Sequence, residues 1–160
     1  MSSIKRWVAF GAAAAMVAGG LVAGAAIMTD PVADISKRAE VRATEGGGAR
    51  IALSHVFDRA PDPARPVAAA DRRLMSAALL TTAAREARAR DSETFAITRM
   101  GARIGGAPDA GSPAGEIRYD IQAMVTFAPA AEAAPLGIYT VSDAERQAAA
   151  LAARPATAAR

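Results

Sequence analysis

Residues 116–128, EIRYDIQAMVTFA, alternate apolar and more polar side chains along their whole length. Successive side chains of a β-strand point to opposite faces, so this alternation predicts a strand with one buried and one solvated face. A strand with that pattern is typical of an antiparallel sheet. The side chains predicted to be buried are Ile117, Tyr119, Ile121, Ala123, Val125 and Phe127.

Residues 50–57 predict a second strand of the same kind. Ile51, Leu53, His55 and Phe57 fall on one side of it, and smaller or polar side chains fall on the other. This period of two indicates that the strand is also half buried. The single histidine of the chain therefore lies on the apolar side of a strand.

Residues 93–104 predict a further strand, in which the apolar pattern changes parity. Phe95 belongs to the inward side at the start of the stretch, whereas Met100 falls on the opposite parity. A β-bulge or a glycine kink at Gly101 would restore the register. Residues 137–141 predict a short fourth strand.

Two helices complete the predicted elements. Residues 67–90 contain no glycine or proline and are rich in alanine, leucine and arginine, which favour the helix. Ser142 and Glu145 have the spacing of a capping box, which predicts a shorter helix that ends near Ala153. Residues 142–160 are therefore expected to form this capped helix and a disordered tail.

The order of these elements predicts an α+β domain at residues 49–141. Its β-α-β-β arrangement gives a small antiparallel sheet with one packed helix, followed by the short C-terminal helix. Residues 29–48 contain Pro31, few apolar side chains and the triplet at residues 46–48, which is all glycine. We expect this segment to be a flexible tether.

The N-terminal residues 1–28 predict a membrane anchor or a signal peptide. Residues 7–28 carry no charge and follow Lys5 and Arg6, so they are long enough for a single transmembrane helix. The positive-inside rule then places the N-terminus in the cytoplasm and the domain in the periplasm. We expect this anchor to hold the protein in a bacterial inner membrane.

The same residues also fit a cleavable signal peptide. Ala23-Gly24-Ala25 supplies a small-x-small cleavage site, and cleavage there would make the protein periplasmic or secreted. If the helix is retained, Gly20 and Gly24 form a GxxxG motif. Such spacing lets two membrane helices approach closely, so these glycines are candidate helix-packing residues for self-association or for a partner helix.

Composition excludes several classes of protein. Arginine outnumbers lysine 17 to 2, a bias typical of GC-rich bacterial genomes, yet the net charge is only +3. The arginines are scattered without interleaved aromatic residues, which opposes nucleic-acid binding. No cysteine is present, so neither a disulfide nor a cysteine-linked lipid can form.

No set of residues predicts catalysis, a metal or a cofactor. A catalytic His55 would need a nucleophile within hydrogen-bond reach, and the neighbouring Ser54 points to the other face of the same strand. One histidine with scattered carboxylates does not supply a zinc site. The glycine-rich stretches lack the P-loop and dinucleotide-binding patterns. We therefore expect no enzyme activity and interpret His55 as a buried structural residue.

The small domain is expected to bind a partner. It is short, its core is rich in small alanine side chains, and its predicted sheet leaves two edges exposed. The second face of residues 116–128, which includes Met124 and Thr126, is a further contact surface. We therefore predict a non-enzymatic accessory subunit of the bacterial envelope. The alternative is a secreted periplasmic module that binds a small ligand or a lipid.

Overall fold

A computed structural model describes residues 30–105, 115–127 and 136–153. In this part of the chain, three helices and five strands form an α+β domain. The helices are α1 (Pro31–Lys37), α2 (Ala69–Arg88) and α3 (Val141–Ala153). The strands are β1 (Glu40–Ala43), β2 (Ala49–Asp58), β3 (Thr94–Ile104), β4 (Glu116–Thr126) and β5 (Gly137–Thr140).

The strands form one antiparallel sheet in the order β1-β2-β4-β3-β5. The predicted α+β class is confirmed, and the predicted β-α-β-β core is present as β2, α2, β3 and β4. The sheet has one strand more than predicted, because β1 extends one edge, whereas β5 at the other edge corresponds to the short fourth strand predicted at residues 137–141. Strand β4 lies at the centre, so β2 and β3 run in the same direction on either side of it.

The three helices pack on one face of the sheet. The register brings Leu53 of β2 beside Ile121 of β4, and this row is buried under the helices. Five alanines of α2 are almost fully buried, and such small side chains let α2 lie close to the sheet and to both neighbouring helices. These residues are Ala77, Ala78, Ala83, Ala84 and Ala87.

The segment at residues 29–48 was predicted to be a tether, and the structure shows that prediction to be wrong. Helix α1 begins after Asp30, whose side chain accepts a hydrogen bond from the Val32 N–H at 3.0 Å. Ile35 of α1 is buried in the core, and β1 pairs with β2. The glycine triplet forms the turn between β1 and β2, where Gly46 and Gly47 adopt positive φ angles of +95° and +82°.

The predicted change of register in β3 is present, but at a different residue. The pairing with β4 shifts between Ile97 and Arg99, so the irregularity lies at Thr98 rather than at Gly101. The Thr98 hydroxyl donates to the Met124 carbonyl oxygen at 3.3 Å. Because of this shift, the side chains of Met100 and Ile97 lie on the same face of the sheet despite their opposite parity.

Helix α3 is capped two residues earlier than predicted. Thr140 rather than Ser142 supplies the cap, since its Oγ1 accepts a hydrogen bond from the Asp143 N–H at 3.1 Å. The helix ends at Ala153, as expected. An ion pair of 2.6 Å between Arg88 and Glu145 connects α2 with α3 at the surface.

Residues 1–29 lie outside the described part of the chain, and so do the predicted anchor or signal peptide and the candidate packing residues Gly20 and Gly24. The predicted disordered tail at residues 154–160 also lies outside it. Within residues 30–105, 115–127 and 136–153, no helix has both the length and the apolar character of a membrane span.

Candidate functional site

One face of the sheet is open. The polar rows of β2 and β4 lie on the side opposite the helices, and in the described residues no helix covers them. We call this surface, formed by the outward side chains of β1, β2, β4 and β3, the open face. It contains the face of residues 116–128 that the sequence predicted to be solvated.

A groove of about 510 Å³ crosses the middle of the open face. Small residues of β2 and β3 form its floor, namely Ala52, Ser54 and Gly101. They lie on either side of the longer residues of β4, so the surface is lower there. Gly101 leaves open space, since a Cβ atom there would meet no atom within 4 Å. Arg103 and Arg118 are among the residues of the groove wall. The surface is thus concave where two arginines approach it.

Hydrogen bonds hold two of the arginines on this face. The Arg50 guanidinium donates to the Gln122 Oε1 at 2.5 Å. Arg118 Nε donates to the Ser54 Oγ at 3.0 Å and to the Asp120 carboxylate at 3.3 Å. Both guanidinium groups are oriented by partners on neighbouring strands. These side chains would therefore lose less conformational entropy when a ligand binds.

The groove carries an excess of positive charge. Together with a smaller adjoining cavity of about 180 Å³, it is lined by five arginines and two carboxylates. Guanidinium groups bind carboxylate or phosphate oxygens through two parallel hydrogen bonds. The arrangement therefore favours an anionic group from a ligand or a partner protein. The charged residues are Arg38, Arg42, Arg50, Arg103, Arg118, Glu40 and Asp120.

His55 lies on the helix-covered side of the sheet, away from the groove. Its ring packs edge-to-face against Phe57 with 4.6 Å between the ring centroids. The side chain is half buried rather than buried, and it forms no hydrogen bond with another described residue. Ser54 points to the open face, where its hydroxyl accepts from Arg118. The structure therefore does not bring His55 and Ser54 together.

Two titratable groups near the start of α2 have shifted pKa values. Burial lowers the pKa of His55 below its ordinary value of 6.5, and the Arg38 guanidinium lowers it further. Burial raises the pKa of Asp71, and the Asp58 carboxylate acts in the same direction. Both shifts follow mainly from desolvation, which disfavours the charged form of each group.

The shift at His55 predicts a dependence of stability on pH. The unfolded chain binds the imidazole proton at a higher pH than the folded domain, so acidification favours unfolding. We expect the free energy of unfolding to fall as pH decreases from about 7.5 to about 5.5. His55→Phe keeps a ring against Phe57 and should flatten this profile. Urea titrations across that range would measure it, and an unchanged slope in the variant would contradict the assignment.

The carboxylates that the structure describes do not assemble into a metal site. Among residues 30–105, 115–127 and 136–153, no group of three or more histidine, aspartate or glutamate side chains is close enough to hold an ion.

The comparisons with known proteins add no assignment, since no family model, curated protein or solved structure matches the chain. The function is therefore inferred from the residues of the domain itself.

Sequence reasoning placed the polar face of β4 in solvent but missed the groove. The sequence did indicate that Arg50 and Arg118 are solvated, because both occupy polar positions in strands whose apolar and polar side chains alternate. They share one face of the sheet because β2 pairs with β4 in the order β1-β2-β4-β3-β5. No local pattern indicates that strand order, so the arginines appeared to be scattered.

Proposed function

We propose that the chain is a non-enzymatic accessory protein of the bacterial envelope. Residues 7–28 anchor it in the inner membrane with the N-terminus in the cytoplasm, and the domain binds a protein partner in the periplasm. The observation that carries this proposal is the open face, where five arginines line a shallow groove and the smaller cavity beside it, on a sheet whose other face is packed with helices. A partner that offers carboxylates would complete this surface.

The character of the open face supports a macromolecular partner over a small apolar ligand. The groove is wide and polar, whereas sites for small molecules are typically concave and mostly apolar. Five alanines of α2, whose small side chains could otherwise line a groove for a lipid, are packed in the core. A lipid would have to displace this core, so we favour a protein partner.

The membrane anchor is proposed from the sequence. The uncharged residues 7–28 and the preceding Lys5-Arg6 support a retained N-terminal helix. Secretion is the alternative, and the N-terminal residue of the mature protein separates the two. A chain that begins at Met1 or Ser2 supports the anchor, and a chain that begins at Ala26 supports the secreted binding module.

The proposal predicts which face contacts another protein in the cell. A photo-crosslinking amino acid at Arg118, in the groove, is expected to trap a discrete adduct in intact bacteria. The matched control carries the same amino acid at Arg146, which is 78% exposed on the helical side and is expected to give no such adduct. Gel electrophoresis after irradiation would measure both.

Three results would count against the proposal. The first is a folded Arg118 variant that gives no adduct in cells that contain it at its normal level. The second is equal adduct formation from Arg118 and Arg146, which would indicate random collision rather than a defined contact. A monodisperse monomer without any co-purifying protein after extraction in mild detergent would also count against it.

A further inference from the structure

In the part of the chain that the structure describes, strand β3 is paired on only one side at residues 98–104. Strand β5 pairs with β3 only from Thr94 to Ile97, and the Leu136 N–H donates to the Ile97 carbonyl at 2.7 Å where this pairing ends. On its other side β3 pairs with β4 as far as Ile104. Among the residues that the structure describes, no strand pairs with residues 98–104 on the side away from β4. We call these residues the β3 edge.

Among the described residues, no strand pairs with the backbone groups of the β3 edge that point away from β4. Gly105 donates its N–H to the Arg118 carbonyl at 2.8 Å, which shows that the backbone of residue 105 points toward β4. In an antiparallel pair this direction alternates from residue to residue. The N–H and C=O groups of Met100, Ala102 and Ile104 therefore point away from β4. They have the spacing that an added strand requires.

The two faces of the β3 edge differ in chemistry. On the helix side, Met100 and Ile104 are 55% and 46% exposed, because the helices do not cover this end of the sheet. On the open face, Arg99 and Arg103 flank the empty space above Gly101. In the described residues neither arginine forms an ion pair, and Asp120, opposite Arg103, accepts from Arg118.

From this pattern we infer that the β3 edge accepts an extended segment of a protein partner in which acidic and apolar residues alternate. Backbone hydrogen bonds would join the segment to Met100, Ala102 and Ile104. Its acidic side chains would face Arg99 and Arg103, and its apolar side chains would cover the exposed methionine and isoleucine. This inference rests on the proposed function, which it deepens by naming the contact and the chemistry of the partner.

A simple protective role does not account for the β3 edge. Charged side chains on an edge strand discourage unwanted pairing, which would explain Arg99 and Arg103 alone. It would not explain why Met100 and Ile104 remain exposed on the other face. A second copy of the chain is also a poor occupant. Antiparallel pairing of two such edges would bring four arginines onto one face, with no carboxylate from either edge between them.

The test uses synthetic peptides and the full-length protein in mild detergent. A fluorescent nine-residue peptide of alternating glutamate and valine is titrated at low ionic strength and followed by anisotropy. We expect saturable binding that is at least about tenfold tighter than binding of a peptide of equal composition whose glutamates are contiguous. The ordered alternation, rather than the charge alone, is what the β3 edge recognises.

Two variants locate the binding. The double substitution Arg99→Glu and Arg103→Glu should weaken the glutamate peptide about tenfold and create binding of an alternating lysine–valine peptide. The matched control, Arg65→Glu with Arg72→Glu, changes the same charge at exposed positions outside the β3 edge and should alter neither affinity. Equal losses in the two double variants would overturn the inference, because long-range charge would then explain the binding.

Ala102→Pro tests the backbone contact separately. Proline removes an N–H that points away from β4, so the sheet should remain intact while strand addition is blocked. Loss of peptide binding with an unchanged circular dichroism spectrum is expected, and full binding would overturn the inference.

Crosslinks from Arg118 in cells test the proposed function independently. If they form while the peptides fail to bind, the proposed function stands and the β3 edge is not its contact.

Discussion

Replacing Phe95 by alanine is expected to reduce the free energy of unfolding of the domain by about 3–5 kcal/mol. Phe95 is fully buried, at 0% exposure, at the start of β3. Its ring stacks on Tyr139 of β5 with 5.5 Å between centroids. Truncation would leave a cavity between these strands and the helices above them. Small domains are stable by only about 5–15 kcal/mol, so much of the stability would be lost.

The effect should spread to β5 and to α3, the helix that follows it. The Val141 N–H donates to the Glu93 carbonyl at 2.9 Å, so the start of α3 is held beside the start of β3. We expect the variant to show increased amide hydrogen exchange in β5 and α3 before global unfolding occurs. The contact of Phe95 with Tyr139 joins the side chains of β3 and β5, and α3 follows directly after β5.

Urea unfolding of the full-length chain, followed by circular dichroism, would measure the change. Tryptophan fluorescence is unsuitable, because the single tryptophan is Trp7 in the N-terminal segment. Met100→Ala is the matched control, since it truncates an apolar side chain of the same strand that is 55% exposed. Its cost should stay within about 0.5 kcal/mol. Similar losses in the two variants would show that burial does not determine stability in β3.

The contrast between these two residues shows how far the sequence predicts the fold. Strands β2 and β4 were predicted because their alternation is dense and local, and α2 because its composition favours the helix over a long stretch. In β3 the parity change was visible, but its position at Thr98 depends on pairing with β4. Which apolar residues of β3 are covered depends on where the helices end, and local pattern does not specify that.

The candidate site was predictable only in part, because its side-chain parity is a local pattern and its strand order is not. Parity alone places Arg50, Arg118 and Gln122 on the solvated faces of their strands. The groove exists because β4 lies between β2 and β3, which brings small residues of the outer two strands beside the long residues of the middle one. In this order, α2 carries the chain from β2 to β3 on the other side of β4. The strand pairs that result are non-local, so arginines that are scattered in the sequence form one surface only after folding.

The alanine content also has a structural role that composition did not reveal. A high alanine content is typical of proteins from GC-rich genomes, yet five of the alanines in α2 are at most 1% exposed. A helix with small side chains can approach its neighbours closely and gain dispersion contacts from the backbone. The thin core expected from composition is thus compensated by close packing of α2 against α1, α3 and the sheet.

Helix α1 offers the sharpest test of whether residues 29–48 belong to the domain. Ile35 is 1% exposed and lies in the hydrophobic core. The adjacent Ser36 donates its hydroxyl to the Ala78 carbonyl at 3.3 Å, which places α1 directly on α2. The sequence suggested a tether because only a few apolar residues mark α1 and β1. Their burial depends on the small side chains of α2, which are distant in sequence.

Ile35→Asp is therefore expected to destabilise the domain by about 4 kcal/mol or more, because it buries a carboxylate without a partner. Ile35→Val should cost about 0.5–1.5 kcal/mol, and Lys37→Asp, exposed on the same helix, less than about 1 kcal/mol. Urea unfolding of the three full-length variants would measure these values. In a flexible tether all three substitutions would be neutral, so equal midpoints would return residues 29–48 to that role. We expect a graded loss that follows burial, because α1 and β1 are packed and paired within the folded domain.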